Sequence, residues 1–127
     1  MTATLPHLRL NSDRMLAAFN ELAHSQRLGA TGDGGVNRPT FSEAHLAGRQ
    51  WFREKIEKAG LEFRTDGAGN HSAFLACGHK DAQTLLLGSH LDSVPNGGRF
   101  DGALGVMAAL EVLRECFLNG QVRWENG

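Results

Sequence analysis

Residues 84–113 constrain the fold most, because an apolar run, a polar glycine-containing loop and a second apolar run follow one another there. The first run, 84–88, is short and bounded by turn-forming residues, which predicts a strand buried on both faces of a sheet. The second, 102–117, has the length and spacing of a buried helix. A strand, a loop and a helix in this order are typical of α/β proteins, whose ligands bind at the carboxyl ends of strands. We therefore predict an α/β fold with its functional residues between 89 and 101.

Two side chains of that loop, His90 and Asp92, follow the predicted strand directly and are two positions apart. In nearly extended chain, side chains at this spacing lean toward the same side. His90 could bind a metal ion through one ring nitrogen while Asp92 holds the other and fixes the tautomer. The pair therefore indicates a metal ligand and the carboxylate that orients it.

A second carboxylate, Asp101, lies just before the predicted helix 102–117. It could cap the helix by accepting backbone N–H groups, or its outward oxygens could bind one cation or bridge two. A phosphate site is disfavoured, because neither the P-loop motif nor the dinucleotide-binding motif occurs here and two acidic residues occupy the loop. The residues leave cap and ligand as alternatives, and both favour cations over anions.

The composition excludes several classes of function. The 127 residues are 41% apolar and 21% charged with a net charge of −1 and no basic run, so neither nucleic acid nor a membrane surface is indicated as a partner. Cys77 and Cys116 lack C-x-x-C spacing and are expected to be reduced. Without a secretory pattern or a run of about 20 apolar residues, the chain is expected in the cytoplasm.

The remaining segments predict cover elements around the central motif. Helices are predicted at 13–26, capped by Ser12, and from a cap at Ser42 to about residue 59, and antiparallel strands at 61–65 and 71–77. The glycine-rich segment 29–40 is predicted to be a loop that lies over the domain or reaches toward a substrate. Its Arg38 is either a carboxylate binder or a solvated surface residue. The histidines at 45, 71 and 79 are not expected to bind metal, and His45 is expected to be exposed.

The residues at 88–106, G-S-H-L-D-S-V-P-N-G-G-R-F-D-G-A-L-G-V, resemble the N-carbamoyl-L-amino-acid hydrolases and allantoate amidohydrolases. These are dinuclear metal hydrolases related to the aminoacylases and carboxypeptidase G. Residues 34–42 and 66–70 look like the same family, so the resemblance covers nearly the whole chain. The H-x-D pattern is shared by many metal hydrolases, whereas P-N-G-G-R-F-D-G narrows the choice to carbamoylase-like members.

The resemblance implies specific roles for the three candidate residues. His90 would bind one metal ion, Asp101 would bridge two, and Asp92 would be the catalytic-site carboxylate behind His90. Residues 1–127 would be the amino-terminal part of a three-layer α/β/α catalytic domain with a mixed sheet, truncated before the lid and dimerisation domain. Two divalent ions, zinc or else manganese, cobalt or nickel, would serve the hydrolysis of a small ureido or N-carbamoyl substrate, and the complete enzyme would be a homodimer.

The family's Glu-Glu pair, its later histidines and its substrate-binding arginine have no counterpart in these residues. A catalytic zinc takes about three protein ligands, so the chain is expected to be inactive by itself, and its substrate-binding residues are unknown. Two alternatives are a non-catalytic fragment that binds a complementary chain and a peptidase or deacylase of the same clan.

Overall fold

The computed structural model describes residues 9–76 and 80–119. Its elements in chain order are α1 (Ser12–His24), a 3-10 turn (Gln26–Leu28), α2 (Glu43–Lys58), β1 (Glu62–Thr65), β2 (His71–Phe74) and α3 (Ala103–Asn119). The two strands pair in antiparallel register, as the sequence predicts. Within the described ranges, none of the helices has both the length and the apolar character that crossing a bilayer requires. Two residues discussed above, Cys77 and His79, lie outside the described residues.

The helix boundaries follow from side chains that satisfy the first free N–H groups. The Asn11 side chain accepts a hydrogen bond from the Arg14 N–H at 2.9 Å, so α1 is capped one residue earlier than predicted and Ser12 belongs to the helix. α2 is capped by Ser42 as predicted, with a hydrogen bond from the His45 N–H at 3.2 Å. It stops at Gly60, whose φ of 76° lies in the left-handed region.

The core lies between the three helices. One cluster joins α1, α2 and α3 through their largest buried side chains, Phe19, Leu22, Trp51, Val106 and Met107. A second cluster joins α2 and α3 to the start of β1 through Ile56, Leu61 and Leu110. Because burial of such a side chain contributes about 1.5–3 kcal/mol, these contacts fix where α3 begins, and α3 begins at the candidate site.

A buried ion pair adds to the packing of α1 on α3. The side chain of Glu111 is 1% exposed and accepts hydrogen bonds from the Arg14 Nε at 3.0 Å, from the Arg14 Nη2, and from the Asn11 N–H at 3.2 Å. The hydrogen bonds that Arg14 donates to Glu111 raise the pKa of Arg14. A carboxylate removed from water needs such partners, so this pair ties the amino end of α1 to α3.

Residues 84–88 do not form the buried strand that the sequence predicts. Leu85 and Leu86 are 77% and 82% exposed, and the sheet of the described residues contains only β1 and β2. A strand needs a neighbour that pairs with its N–H and C=O groups, and β1 and β2 pair with each other instead. The apolar composition of the run suggested burial, but no described segment covers it.

Candidate metal site

His90 lies between the two carboxylates that the sequence singles out. Its Nδ1 is 3.2 Å from Oδ1 of Asp92 and 3.1 Å from the Asp92 backbone oxygen. Its Nε2 faces Oδ1 of Asp101 at 3.9 Å. Two acceptors beside Nδ1 favour the tautomer that carries its proton there, which leaves Nε2, the ring nitrogen nearer to Asp101, unprotonated. The structure therefore brings together all three predicted site residues.

The distance between His90 and Asp101 fits a shared divalent ion. Bonds of about 2.0–2.2 Å to nitrogen and oxygen add up to slightly more than the 3.9 Å between Nε2 and Oδ1. A tetrahedral angle would bring the two atoms to about 3.3 Å, a movement of several tenths of an ångström. The two side chains are 50% and 73% exposed, so both can make it and an ion can reach them.

Asp101 does not cap α3 with its side chain. The first N–H groups of the helix, those of Ala103 and Leu104, donate to the backbone oxygens of Asp101 and Phe100. No backbone hydrogen bond to the Asp101 carboxylate occurs in the part of the chain that the structure describes. Of the two alternatives left by the sequence, the geometry favours a carboxylate whose oxygens are available to a cation.

The described residues make only part of a metal centre. In the ranges 9–76 and 80–119, no three His, Cys, Asp or Glu side chains meet at one position that could hold a metal ion. His90 and Asp101 would supply two ligands where a catalytic zinc takes about three from the protein.

Glycine allows the ring of His90 to lie directly on the start of α3. Gly102 has a φ of 70°, and a Cβ there would lie 2.6 Å from both Nδ1 and Cε1 of His90. A Cβ on Gly105 would similarly lie 3.0 Å from the Cβ of Ser89. A Cβ on Gly102 would also overlap the backbone oxygen of His90, so backbone would have to move, whereas at Gly105 the side chain of Ser89 would have to give way by a few tenths of an ångström. Both glycines therefore serve a close approach of the chain.

The glycine-rich segment 29–40 is a scaffold for the site loop and not a cover over it. Val36 and Gly97 exchange backbone hydrogen bonds of 2.9 and 2.7 Å. The Ser93 N–H donates to the Arg38 carbonyl at 2.8 Å, and the Arg38 N–H donates to Oγ of Ser93 at 2.9 Å. These bonds pair residues 36–38 with 93–97 and hold the loop that follows His90 and Asp92.

Both sequence interpretations of Arg38 are wrong. Its side chain is neither solvated nor bound to a carboxylate, since the residue is 2% exposed and donates to two backbone oxygens, Leu91 O at 2.6 Å from Nε and Leu28 O at 2.5 Å from Nη1. Burial lowers the pKa of Arg38, and the negative charge of Asp92 opposes that shift. A glycine-rich surrounding sequence suggested exposure, and nothing local indicated that the core would close over this residue.

Thr40 is a site residue that sequence reasoning missed. Its Oγ1 donates to Oδ2 of Asp92 at 2.7 Å, which leaves Oδ1 for His90. The hydrogen bond from Thr40 is the main reason that the pKa of Asp92 is lowered, and the neighbouring His90 adds to it. The only sequence signal is that Thr40 lies within the motif at 34–42, because the two residues are 52 positions apart.

His45 is buried, contrary to the prediction that it is exposed. It is 8% exposed and its Nδ1 accepts a hydrogen bond from the Phe41 N–H at 2.9 Å. Burial is the main cause that lowers the pKa of His45, and the same cause lowers the pKa of His71 in β2. Because Phe41 has a φ of 63°, which is strained for a bulky residue, His45 stabilises an unusual turn between Thr40 and α2.

Comparison with known proteins gives concordant results. The model of peptidase family M28 matches residues 73–122. The N-carbamoyl-L-amino-acid amidohydrolase of Rhizobium meliloti is 38% identical over 90% of this chain and 27% of its own length. The allantoate amidohydrolase of Bacillus subtilis is 36% identical over 68% of this chain and 21% of its own. A crystal structure of a hydantoinase/carbamoylase family amidase from Burkholderia ambifaria superposes with a TM-score of 0.81 at 37% identity, covering 89% of this chain and 27% of that one.

These matches define the class first: the chain has the α/β fold of the hydantoinase/carbamoylase amidases. The same comparisons confirm the resemblance to the N-carbamoyl-L-amino-acid hydrolases and allantoate amidohydrolases that the motifs at 88–106, 34–42 and 66–70 indicate. The predicted class, a partial α/β domain, is confirmed by the same superposition. The chain spans about a quarter of the length of the relatives it matches.

Proposed function

We propose that this chain contributes one half of the metal centre of an amidohydrolase that cleaves linear C–N bonds of ureido or N-carbamoyl compounds. The observation that carries the proposal is the placement of His90, with Nδ1 beside Asp92 and Nε2 facing Asp101 at 3.9 Å. The relatives named above act, by their names, on N-carbamoyl amino acids and allantoate. On this proposal, residues 1–127 correspond to the amino-terminal part of the metal-binding catalytic domain, and the complete enzyme is a homodimer.

The proposed roles combine the geometry of the three side chains with what the family resemblance implies. His90 would hold one divalent ion through Nε2, and Asp101 would bridge that ion and a second one through its two oxygens. Asp92 keeps the proton of His90 on Nδ1, which leaves Nε2 able to bind. When bound, such a pair of ions lowers the pKa of a water molecule and polarises the carbonyl that is attacked. The nitrogen and oxygen ligands suit zinc, manganese, cobalt or nickel.

Zinc binding by the chain provides the first test. We expect His90→Ala and Asp101→Asn each to weaken Zn²⁺ binding at least tenfold in isothermal titration calorimetry, because each removes one ligand of the pair. His24→Ala on α1 is the matched control and should bind Zn²⁺ as the unmodified chain does. Equal affinities for all four proteins would contradict the assignment of the site.

A substrate panel tests the reaction. The chain by itself should not hydrolyse N-carbamoyl amino acids, because the described residues lack a third ligand. Turnover at the rate of a complete relative would refute this. The match to peptidase family M28 makes a peptide or N-acyl bond the alternative target. Assays of the completed enzyme on paired N-carbamoyl, N-acyl and dipeptide substrates of one amino acid would separate these activities.

A second candidate function is that of a non-catalytic half that binds a complementary chain. The observation that favours it is the exposed apolar segment at 84–88, whose Leu85 and Leu86 point into solvent. Co-expression with residues of a relative that follow the matched part should then give a stable complex, and Leu86→Lys should abolish it. A complex that is also catalytically active would assign the chain to a split enzyme, whereas an inactive complex would favour a binding role.

A further inference from the structure

Arg38 is a buried cation that has no carboxylate partner among the described residues. It is 2% exposed, and no ion pair to a carboxylate within 4 Å involves it in the described part of the chain. Its guanidinium binds two backbone oxygens instead, those of Leu28 and Leu91. Burying an ion costs several kcal/mol unless its donors are used well, and an apolar side chain would fill the same space without that cost. The charge therefore calls for an explanation other than packing.

The bond to Leu91 supplies that explanation, because Leu91 is the residue between His90 and Asp92. Holding its carbonyl at 2.6 Å fixes the orientation of the peptide between Leu91 and Asp92, one of the two peptides between His90 and Asp92. The backbone of Arg38 holds the next position as well, through two hydrogen bonds with Ser93. The planar guanidinium reaches Leu28 and Leu91 at once, which a lysine ammonium cannot do with the same geometry.

We propose that Arg38 is a positioning residue of the metal site, which acts through the Leu91 carbonyl to keep His90 and Asp92 on the same side of the loop. This inference rests on the proposed function for its consequence, and on the geometry of the metal-free chain for its mechanism. Arg38 touches neither of the predicted metal ligands. It sets the direction in which Nε2 of His90 points.

The packing around Arg38 offers a variant that leaves its charge in place. Gly48 of α2 faces the stem of Arg38, and a Cβ there would lie 3.2 Å from Cδ of Arg38. This distance requires the arginine to move by a few tenths of an ångström. Alanine favours a helix interior more than glycine does, so Gly48→Ala should not weaken α2 while it displaces the guanidinium.

The test compares Arg38→Met, Arg38→Lys and Gly48→Ala with the exposed control Arg27→Met. Urea unfolding reports whether each variant is folded. In the metal-free chain at about pH 8.5, where imidazole is neutral, nitrogen-15 shifts report the tautomer of His90. Calorimetric titration with Zn²⁺ reports the affinity of the site. A merely structural role would change unfolding without changing the tautomer or the affinity of the folded fraction.

We expect the unmodified chain and Arg27→Met to carry the His90 proton on Nδ1. In Arg38→Met the ratio of the two His90 tautomers, protonated on Nδ1 or on Nε2, should move toward that of free histidine. The affinity for Zn²⁺ should fall about ten- to a hundredfold, the size typical of residues that support a metal ligand. Arg38→Lys and Gly48→Ala should give smaller changes in the same direction. If Arg38→Met does not fold, these two variants decide the question.

The outcomes separate this inference from the proposed function. An unchanged His90 tautomer and Zn²⁺ affinity in folded Arg38 and Gly48 variants would overturn the positioning role while leaving the metal site intact. A chain that binds no Zn²⁺ but shifts its His90 tautomer in Arg38→Met would refute the proposed metal site and support the positioning role.

Discussion

Two adjoining segments, 84–88 and 89–102, differ sharply in how they are held. Within the second, His90 lies against Gly102, which directly precedes α3, and residues 92–97 are joined to residues 36–40 by hydrogen bonds. The first, which the sequence predicts as the strand that presents the site, is exposed, with Leu86 at 82%. The geometry of His90 therefore comes from the segments that follow it and pack beside it. The apolar run that precedes it contributes nothing to that geometry among the described residues.

The difference reflects where each kind of element finds its hydrogen bonds. A helix satisfies its interior N–H and C=O groups within its own sequence, so local patterns predict α2 and α3 well. A strand depends on a neighbour, and a buried strand depends on two. Residues 84–88 have the composition of such a strand without a described neighbour, whereas 36–38 find their partner in the loop 93–97.

A matched pair of leucines tests this comparison with the largest expected effect. Leu22 in α1 is fully buried and Leu86 is 82% exposed. Leu22→Ala should lower the free energy of unfolding by about 2–5 kcal/mol, because it removes buried contacts and leaves a cavity. Leu86→Ala should change it by less than about 0.5 kcal/mol. Urea unfolding at low protein concentration measures both.

A loss of several kcal/mol for Leu86→Ala would mean that 84–88 is covered in solution. Repeating the measurement across a range of protein concentrations would show whether a second copy of the chain covers 84–88. In that case the difference in stability between Leu86→Ala and the unmodified chain would grow with concentration.

The buried ion pair between α1 and α3 gives the next largest effect. Arg14→Met leaves Glu111, at 1% exposure, without its main partner, and should cost about 2 kcal/mol, somewhat less than a fully buried pair because Arg14 is 30% exposed. Lys55→Met removes a more exposed bridge to Glu21 and should cost at most about 1 kcal/mol. Thermal and urea unfolding of the two variants would measure the difference.

Since Gly102 directly precedes α3, loosening the contact of α3 with α1 should also disturb the segment 89–102. Arg14→Met is therefore expected to weaken Zn²⁺ binding, and Lys55→Met is not. The opposite ranking of the two variants in stability would show that α3 is held by its apolar contacts and not by Glu111.

The sequence predicted those parts of the fold and site that depend on local patterns. It placed α2 with its cap at Ser42, the hairpin of β1 and β2, and the start of α3. Spacing and residue type also indicated that His90, Asp92 and Asp101 lie close together. These predictions succeeded because a cap, a turn or an H-x-D pair is encoded within a few consecutive residues.

Residues that act over long separations were not predictable in the same way. Thr40 meets Asp92 across 52 positions and Arg38 meets Leu91 across 53. His45 is buried because a turn at Phe41 folds over it. Each depends on how 36–42 packs on α2 and on the site loop, and one sequence carries no periodic signal for such packing.

The pH dependence of the free energy of unfolding tests the contact between His45 and the turn at Phe41. Burial lowers its pKa from the ordinary value of 6.5, so the unfolded chain binds a proton more readily than the folded one. Stability is therefore full above about pH 6.5 and falls as the pH drops through the lower pKa of the folded state. The loss should approach about 1 kcal/mol, the size of the hydrogen bond from Phe41 that protonation of Nδ1 removes.

The non-titrating variant His45→Asn should flatten this part of the profile, measured by urea unfolding between pH 7 and pH 5. His71 shifts in the same direction and stays in both proteins, so it should leave a shallower common slope. An identical slope for the two proteins would contradict a contribution from His45.

The smallest effect concerns Thr40, whose hydrogen bond to Asp92 joins residues 36–40 to the site. Thr40→Val keeps the shape of the side chain but removes the hydrogen bond to Asp92, and should cost about 0.5–1 kcal/mol, because Asp92 is 37% exposed and solvent screens the loss. The bond lowers the pKa of Asp92 from its ordinary 3.8. The difference from the unmodified chain should therefore be present above that pH and shrink below it.

Thr31→Val is the matched control, since Thr31 donates to Asp33 in the same way on an exposed loop away from His90. Both variants lose one threonine–aspartate hydrogen bond and should differ little in stability. Only Thr40→Val frees Oδ2 of Asp92, so that the carboxylate can turn away from Nδ1 of His90. A fall in Zn²⁺ affinity confined to Thr40→Val would show that the site is held from residues 36–40. Equal Zn²⁺ affinities of the two variants would indicate that the geometry of the site depends instead on the close approach at Gly102 and Gly105.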